Sequence, residues 1–225
     1  MIFDKYIFDF DDTIWSRYDH GNSIETSKEN LREINDKLGD RAIIISGNTY
    51  SSIRKKLLST FDDLSSIKFD IWADANTTLY ESDIKIDFIK SLSIDDVSDD
   101  IISIINKRYN LPAIKYGYPE CVNIKIKPLQ ELERSLLVDV LNECLFVSNK
   151  FNKCKAIKAG NTTVDILHKD NDKEVLFDYM GLNKYNTLYV GDEIDFGNDK
   201  NIAAKCTDCI RVNNIFDTKG VLKLI

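Results

Sequence analysis

The chain has 225 residues, 43% of them apolar, only three prolines, and a formal net charge of −7. That length supports one hydrophobic core or a core with a modest inserted domain, and the negative balance argues against a partner that is nucleic acid or an anionic membrane. No stretch approaches the roughly 20 apolar residues of a membrane span, and the N-terminus lacks the basic and apolar regions of a signal peptide, so a cytoplasmic address is expected.

The first apolar run, Lys5-Tyr6-Ile7-Phe8, reads as a buried strand and stops at Asp9-Phe10-Asp11-Asp12-Thr13. Residues 14–22 are polar and form a loop. Ser23 to Leu38 carries apolar residues at helical spacing, with Gly39 placed as a helix-ending glycine. Arg41 to Ile45 is a second β-branched strand ending at Ser46-Gly47-Asn48, and Ser51 to Phe61 is helical again. Phe69 to Ala73 makes a third strand, and Asn76 to Tyr80 passes from turn to β character.

The rhythm then changes. A helix is expected over 94–108, short strands at Ala113–Tyr116 and Val122–Ile126, a helix over 129–143, and strands near 153–158 and 163–168. Helix-strand-strand repeated twice reads as an α+β layer on an antiparallel sheet. Afterwards the parallel rhythm returns, with a helix from Asp172 to Met180, a strand Thr187–Val190 ending at Gly191-Asp192, a short helix over 200–205 and a strand Asp208–Val212. The expectation is an α/β core of parallel strands from residues 1–78 and 170–225, with an α+β domain inserted over 79–169. The five cysteines, Cys121, Cys144, Cys154, Cys206 and Cys209, are scattered, which suits reduced thiols; Cys206-Thr207-Asp208-Cys209 lacks the second ligand pair of a zinc site.

In a parallel sheet the carboxyl ends of all strands share one edge, so Asp9, Asp11, Ser46 and Asp192 are expected to converge there. Carboxylates at one point suit a hard cation, and Mg²⁺ fits a site of few carboxylates completed by phosphate oxygens and water.

Asp9-Phe10-Asp11-Asp12-Thr13 after an apolar strand resembles the first motif of the haloacid dehalogenase-like phosphohydrolases. Ser46 after Ile43-Ile44-Ile45 resembles the second motif, Lys173 at a helix start the third, and Gly191-Asp192 with Asn198-Asp199 the fourth, in the family's order. The insertion is similar to the family's C2B cap. The resemblance implies a Rossmann-like core and a Mg²⁺-dependent phosphatase, with Asp9 as nucleophile, Asp11 as acid and base, and Thr13 orienting the loop. It implies that Ser46 and Lys173 hold the transferring phosphoryl group, with Gly47 and Asn48 beside it. The metal would rest on Asp9, the backbone carbonyl of Asp11, Asp192 and a second acid, for which Asp199 is favoured and Asp195 kept as a candidate, because Glu193 to Gly197 lengthen this motif in a form similar to that of phosphomannomutases.

In the cap, Tyr116, Tyr118, Asn123 and Lys125 are candidate contacts to a sugar or other polar leaving group, while Val122, Ile124 and Ile126 alternate with them as packing positions. The expected partner is a small phosphorylated substrate, a sugar phosphate by the character of this hairpin. The alternatives are a phosphomutase, disfavoured because the hairpin offers lysines and tyrosines in place of arginines, a non-catalytic phospho-ligand module, and a nucleic-acid end phosphatase, disfavoured by the acidic balance.

Overall fold

A computed structural model describes residues 2–117, 122–126, 131–159, 163–195 and 199–225. The chain divides into two compact units, one formed by residues 1–87 with 172–225 and the other by 88–171.

The first unit is built on β1 (Lys5–Asp9), β2 (Ala42–Ile45) and β3 (Asp70–Ala73), whose apolar runs are buried almost throughout. Solid burial of this kind belongs to parallel strands covered by helices on both faces. β1 pairs in parallel with β2 on one side and with β10 (Thr187–Gly191) on the other; β2 continues to β3, and β10 to β11 (Asp208–Arg211). The chain therefore runs β1, β2, β3 in one direction and returns on the far side of β1. That reversal makes the crevice beyond the carboxyl end of β1 the place where an open α/β sheet binds ligands.

The crossover helices follow the sequence pattern. α1 (Ser23–Lys37) buries Leu31 and Ile34, and Gly39 ends it with a φ of +55°, a conformation open to glycine without strain. α2 (Tyr50–Leu58) begins at Thr49, whose side chain accepts from the Ser52 amide at 3.3 Å, and buries Tyr50, Ile53 and Leu57.

The expected domain boundary at residue 79 falls inside this sheet. β4 (Thr78–Glu81) pairs antiparallel with β3, and β5 (Ile84–Phe88) extends the sheet by one further strand. The turn between them, Ser82-Asp83, has positive φ at both residues, as a two-residue hairpin requires. The alternating Ile84-Lys85-Ile86-Asp87 is an edge strand with Ile84 and Ile86 exposed, so its pattern carries little burial signal. The last helix lies beyond the final strand read from the sequence. There Asn214 accepts from the Phe216 and Asp217 amides at 2.9 and 3.2 Å and starts α7 (Ile215–Leu222), which packs on α1.

The second unit holds α3 (Asp95–Tyr109), β6 (Ala113–Gly117), β7 (Val122–Ile126), α4 (Glu131–Phe146), β8 (Cys154–Ala159) and β9 (Thr163–His168). Its antiparallel sheet runs β6-β7-β9-β8 and buries Ile124, Ile126, Val164 and Ile166 against Ile101, Ile105, Leu141 and Leu145. The side-chain amide of Asn142 on α4 exchanges hydrogen bonds of 2.8 and 2.9 Å with the backbone of Ala156, pinning that helix to the edge strand β8.

Asp70 opens β3 half-buried and directly across from Glu81, and burial followed by that like charge pushes its carboxyl up to about 6 while Lys5 opposes the shift. A carboxyl raised on folding is penalised once ionised, so this site lowers stability as pH climbs from about 4 to 6. Asp70→Asn is expected to gain about 1 kcal/mol at pH 7, after allowance for solvent screening of a half-exposed group, and nothing at pH 4; urea unfolding at both pH values checks this.

Candidate active site

β1 ends at Asp9, and the chain then turns sharply. The Asp12 amide donates to the Trp15 carbonyl at 2.8 Å, the Ile14 and Trp15 amides both donate to the Phe10 carbonyl, and Asp12 takes a φ of +59°. This tight turn sets Asp11 apart from Asp9. Arg17 closes the outer side with its guanidinium 3.2 Å from Asp12, which accounts for the third acid of the run as a structural one.

Asp9, Asp192 and Asp199 come together, with a carboxylate oxygen of each within 4.8 Å of the others. Asp9 is supplied by β1, Asp192 by the residue after β10, and Asp199 by the start of α6 (Lys200–Lys205). Lys173, just before α5 (Glu174–Tyr179), donates from its ammonium to Asp9 and, at 2.5 Å, to Asp199. Asp9, Lys173 and Asp199 are 5%, 2% and 0% exposed, so water cannot screen them.

Those charges oppose one another strongly. Burial pushes the Asp9 carboxyl well above its usual range, Lys173 pulls it back, and Asp199 and Asp11 push it further up. Burial works against the Lys173 ammonium, yet Asp9 and Asp199 outweigh it and hold the lysine charged. Asp192 is raised to about 6 by burial and then by Asp199 and Glu193. With all three carboxyls ionised, the one ammonium leaves two negative charges in excess, and all the ligand atoms are hard oxygens. That donor set fits a small dication such as Mg²⁺.

Gly191 is required by this packing. A Cβ there would lie 2.5 Å from a carboxylate oxygen of Asp199 and 2.8 Å from the Tyr189 ring. Of the two candidate acids, Asp199 stands in the cluster and also accepts from the Glu193 amide at 3.3 Å, whereas Asp195 is exposed and pairs with Arg211 at 2.8 Å. Asp195 thus stands apart from the cluster.

The side chain of Asp11 stands outside that cluster. One of its oxygens accepts from the Ser46 hydroxyl at 3.2 Å and from the side-chain amide of Asn48 at 2.5 Å, and the other faces the Lys56 ammonium at 3.4 Å. Ser46 is buried at the end of β2, its amide donating to the Trp72 carbonyl and its hydroxyl accepting from the Asn48 amide at 3.1 Å. Gly47 sits between them with open space where a side chain would begin. Thr13 is wholly buried; its carbonyl accepts from Thr218 of α7 at 2.6 Å, and its hydroxyl meets no protein partner among the described residues. Thr13 thus ties the turn to α7.

In the second unit the backbone register sets Tyr116 opposite Asn123, and Lys125 lies two residues further along β7. Tyr118 lies outside the described residues, and so do the side chains of Tyr116, Asn123 and Lys125. Lys56 was missed in the sequence, where it is one more lysine on a helix; its position three residues after Ile53 and one before Leu57 is the only signal, and a weak one.

No protein-family profile and no curated protein matches the sequence. Solved structures do match the fold. SMU.1108c from Streptococcus mutans UA159 superposes with a TM-score of 0.66 at 14% identity, over 99% of this chain and 97% of that one. An IMP-nucleotidase from Plasmodium falciparum gives 0.68 at 15%, over 99% of this chain and 60% of that one. A haloacid dehalogenase-like hydrolase from Bacteroides thetaiotaomicron gives 0.64 at 12%, over 99% and 98%. The chain has the fold of the haloacid dehalogenase-like hydrolases.

The cluster makes a stability prediction of its own. Lys173→Ala leaves buried carboxylates with no counter-charge, so without divalent cation the protein is expected to lose about 3–5 kcal/mol in urea unfolding near pH 7.5. Unchanged stability would mean that the ammonium does not neutralise the site.

Proposed function

We propose that the chain is a Mg²⁺-dependent phosphoric monoester hydrolase that works through an aspartyl-phosphate on Asp9. The observation that carries this reading is the buried Asp9–Lys173–Asp199 arrangement at the reversal point of the sheet, with Asp192 beside it. Asp9, Asp192 and the Asp11 carbonyl would hold Mg²⁺, with Asp199 as the further acid, and the ion supplies charge neutralisation for an anionic nucleophile meeting an anionic phosphoryl group.

Asp9 must be ionised to attack. Burial alone opposes that, and Lys173 is the protein's own counterweight. A carboxylate oxygen of Asp9 bonds to phosphorus as the ester oxygen leaves, and water then releases phosphate from the aspartyl group. Lys173 and the Ser46 hydroxyl would hold the transferring oxygens, one as a charge and the other as a donor. Asp11, two residues along and beyond a tight turn, gives a proton to the leaving oxygen and later takes one from water. The mutase and non-catalytic readings gain no specific support: the sequence retains the acids, lysine and serine of all four motifs, and the arginines of a second phosphate site are lacking in the hairpin sequence.

The substrate is a small phosphate monoester, and the tyrosines and polar residues of 116–125 favour a sugar phosphate. The likeness to an IMP-nucleotidase brings nucleoside monophosphates into the same test. Four described cysteines are free thiols, which suits a reducing cytoplasmic setting, and no helix among the described residues is long and apolar enough to cross a membrane.

Phosphate release from a panel of sugar phosphates, nucleoside monophosphates and p-nitrophenyl phosphate, with and without Mg²⁺, tests the proposal. Mg²⁺-dependent release is expected, falling to background in Asp9→Asn and by a factor on the order of 10²–10⁴ in Asp11→Asn. No release from any substrate, or full release by Asp9→Asn, would sink it.

A further inference from the structure

We propose that Lys56 is a positioning residue for the Asp11 carboxylate and keeps it in place once substrate has claimed the Ser46 hydroxyl. The inference rests on the hydrolase reading above.

Lys56 sits on the flank of the buried face of α2, and its ammonium is directed at the turn after β1. Its nitrogen lies 3.4 Å from Asp11, 4.6 Å from the Phe10 ring centre and 5.6 Å from that of Trp15. The two rings stack at 6.3 Å with 19° between their planes. Phe10 precedes Asp11, and Trp15 is joined to Asp11 by a backbone bridge, so the ammonium is held by both neighbours of the carboxylate it faces. Aromatic faces attract a cation and narrow its rotamers. The side chains of Lys56 and Asp11 are 23% and 15% exposed, and Asp11 is the only carboxylate within 4.0 Å of Lys56 among the described residues. At the end of α2, the hydroxyls of Ser59 and Thr60 both donate to the Lys56 carbonyl, at 2.7 and 2.9 Å, which ties down the backbone from which the side chain extends.

The chemistry gives this contact its purpose. Ser46 has one O–H, and it is spent on Asp11. When the hydroxyl turns to a phosphoryl oxygen, Asp11 loses that donor and retains Asn48 on one oxygen and Lys56 on the other. In the first step the Asp9–phosphorus bond forms, the ester bond breaks, and the proton of the Asp11 carboxyl passes to the leaving oxygen. Lys56 is then the charged group within 4.0 Å of Asp11 among the described residues, and it restrains the carboxyl as the proton leaves.

A purely structural lysine would tie α2 to the turn and nothing more, so its loss would slow every substrate alike. A positioning role predicts dependence on the leaving group, since p-nitrophenolate departs without a proton and phenolate benefits from one. We therefore compare kcat/KM for phenyl phosphate and p-nitrophenyl phosphate in wild type, Lys56→Met and Lys56→Arg. Lys56→Met keeps the apolar reach over Phe10 and Trp15 and is expected to lose roughly tenfold more on phenyl phosphate than on p-nitrophenyl phosphate, with Lys56→Arg restoring the wild-type ratio. An unchanged ratio in Lys56→Met, or a ratio that Lys56→Arg fails to restore, overturns the role of Lys56 and leaves the hydrolase reading standing. Wild-type protein that releases phosphate from neither aryl ester and from no sugar phosphate or nucleoside monophosphate overturns both.

Discussion

The constraint on which the structure depends is the burial of two carboxylates, Asp9 and Asp199, around a single lysine, with a third, Asp192, beside them. Taking ionised groups out of water costs several kcal/mol each even after the surroundings relax, and a well-packed apolar cluster would serve stability better. Here Asp9, Asp199 and Lys173 are nearly sealed from solvent, and the sum of charge stays negative when Asp192 is added. Such a cluster is costly to maintain as scaffolding. The proposed reading accounts for that cost, as a site short of positive charge that a dication and a phosphoryl group would complete.

The fold is what allows that concentration. Residues 9, 46 and 192 are far apart in the chain, and the parallel order β10-β1-β2 carries their strand ends to one edge, where Lys173 and Asp199 join Asp9 from the starts of two helices. The glycine at 191 lets Asp199 approach closer than any side chain would permit, and the left-handed Asp12 bends the chain so that Asp11 points away from the cluster to its own donors. The two acids of the opening run are thereby given separate surroundings: Asp9 faces a buried lysine, and Asp11 faces a serine, an amide and a half-buried lysine. Two carboxyls two residues apart can then take different parts in one reaction.

Much of this was legible in the sequence where burial and chemistry coincide. Runs such as Ala42-Ile43-Ile44-Ile45 can be little else than buried strands, and Asp9, Ser46 and Asp192 mark their ends. Legibility failed where the signal was weak or the decisive partner remote. Residues 84–88 form an exposed edge strand, so their apolar positions do not announce a core, and the boundary between the units was set too early. The choice between Asp195 and Asp199 rested on loop geometry that spacing cannot give. Spacing does not show that the side-chain amide of Asn48 donates to Asp11. Lys56 reaches Asp11 across 45 positions, and no local pattern distinguishes it from the exposed lysines around it.

The claim at the centre, that the buried acids form a dication site, is tested most directly by thermal unfolding against Mg²⁺ concentration in wild type and in Asp192→Asn. A ligand bound only by the folded state stabilises it by about 2.7 kcal/mol at a hundredfold excess over Kd. The account predicts a saturable rise in Tm for wild type that is largely lost in Asp192→Asn. No rise in wild type, or the same rise in both proteins, would contradict it.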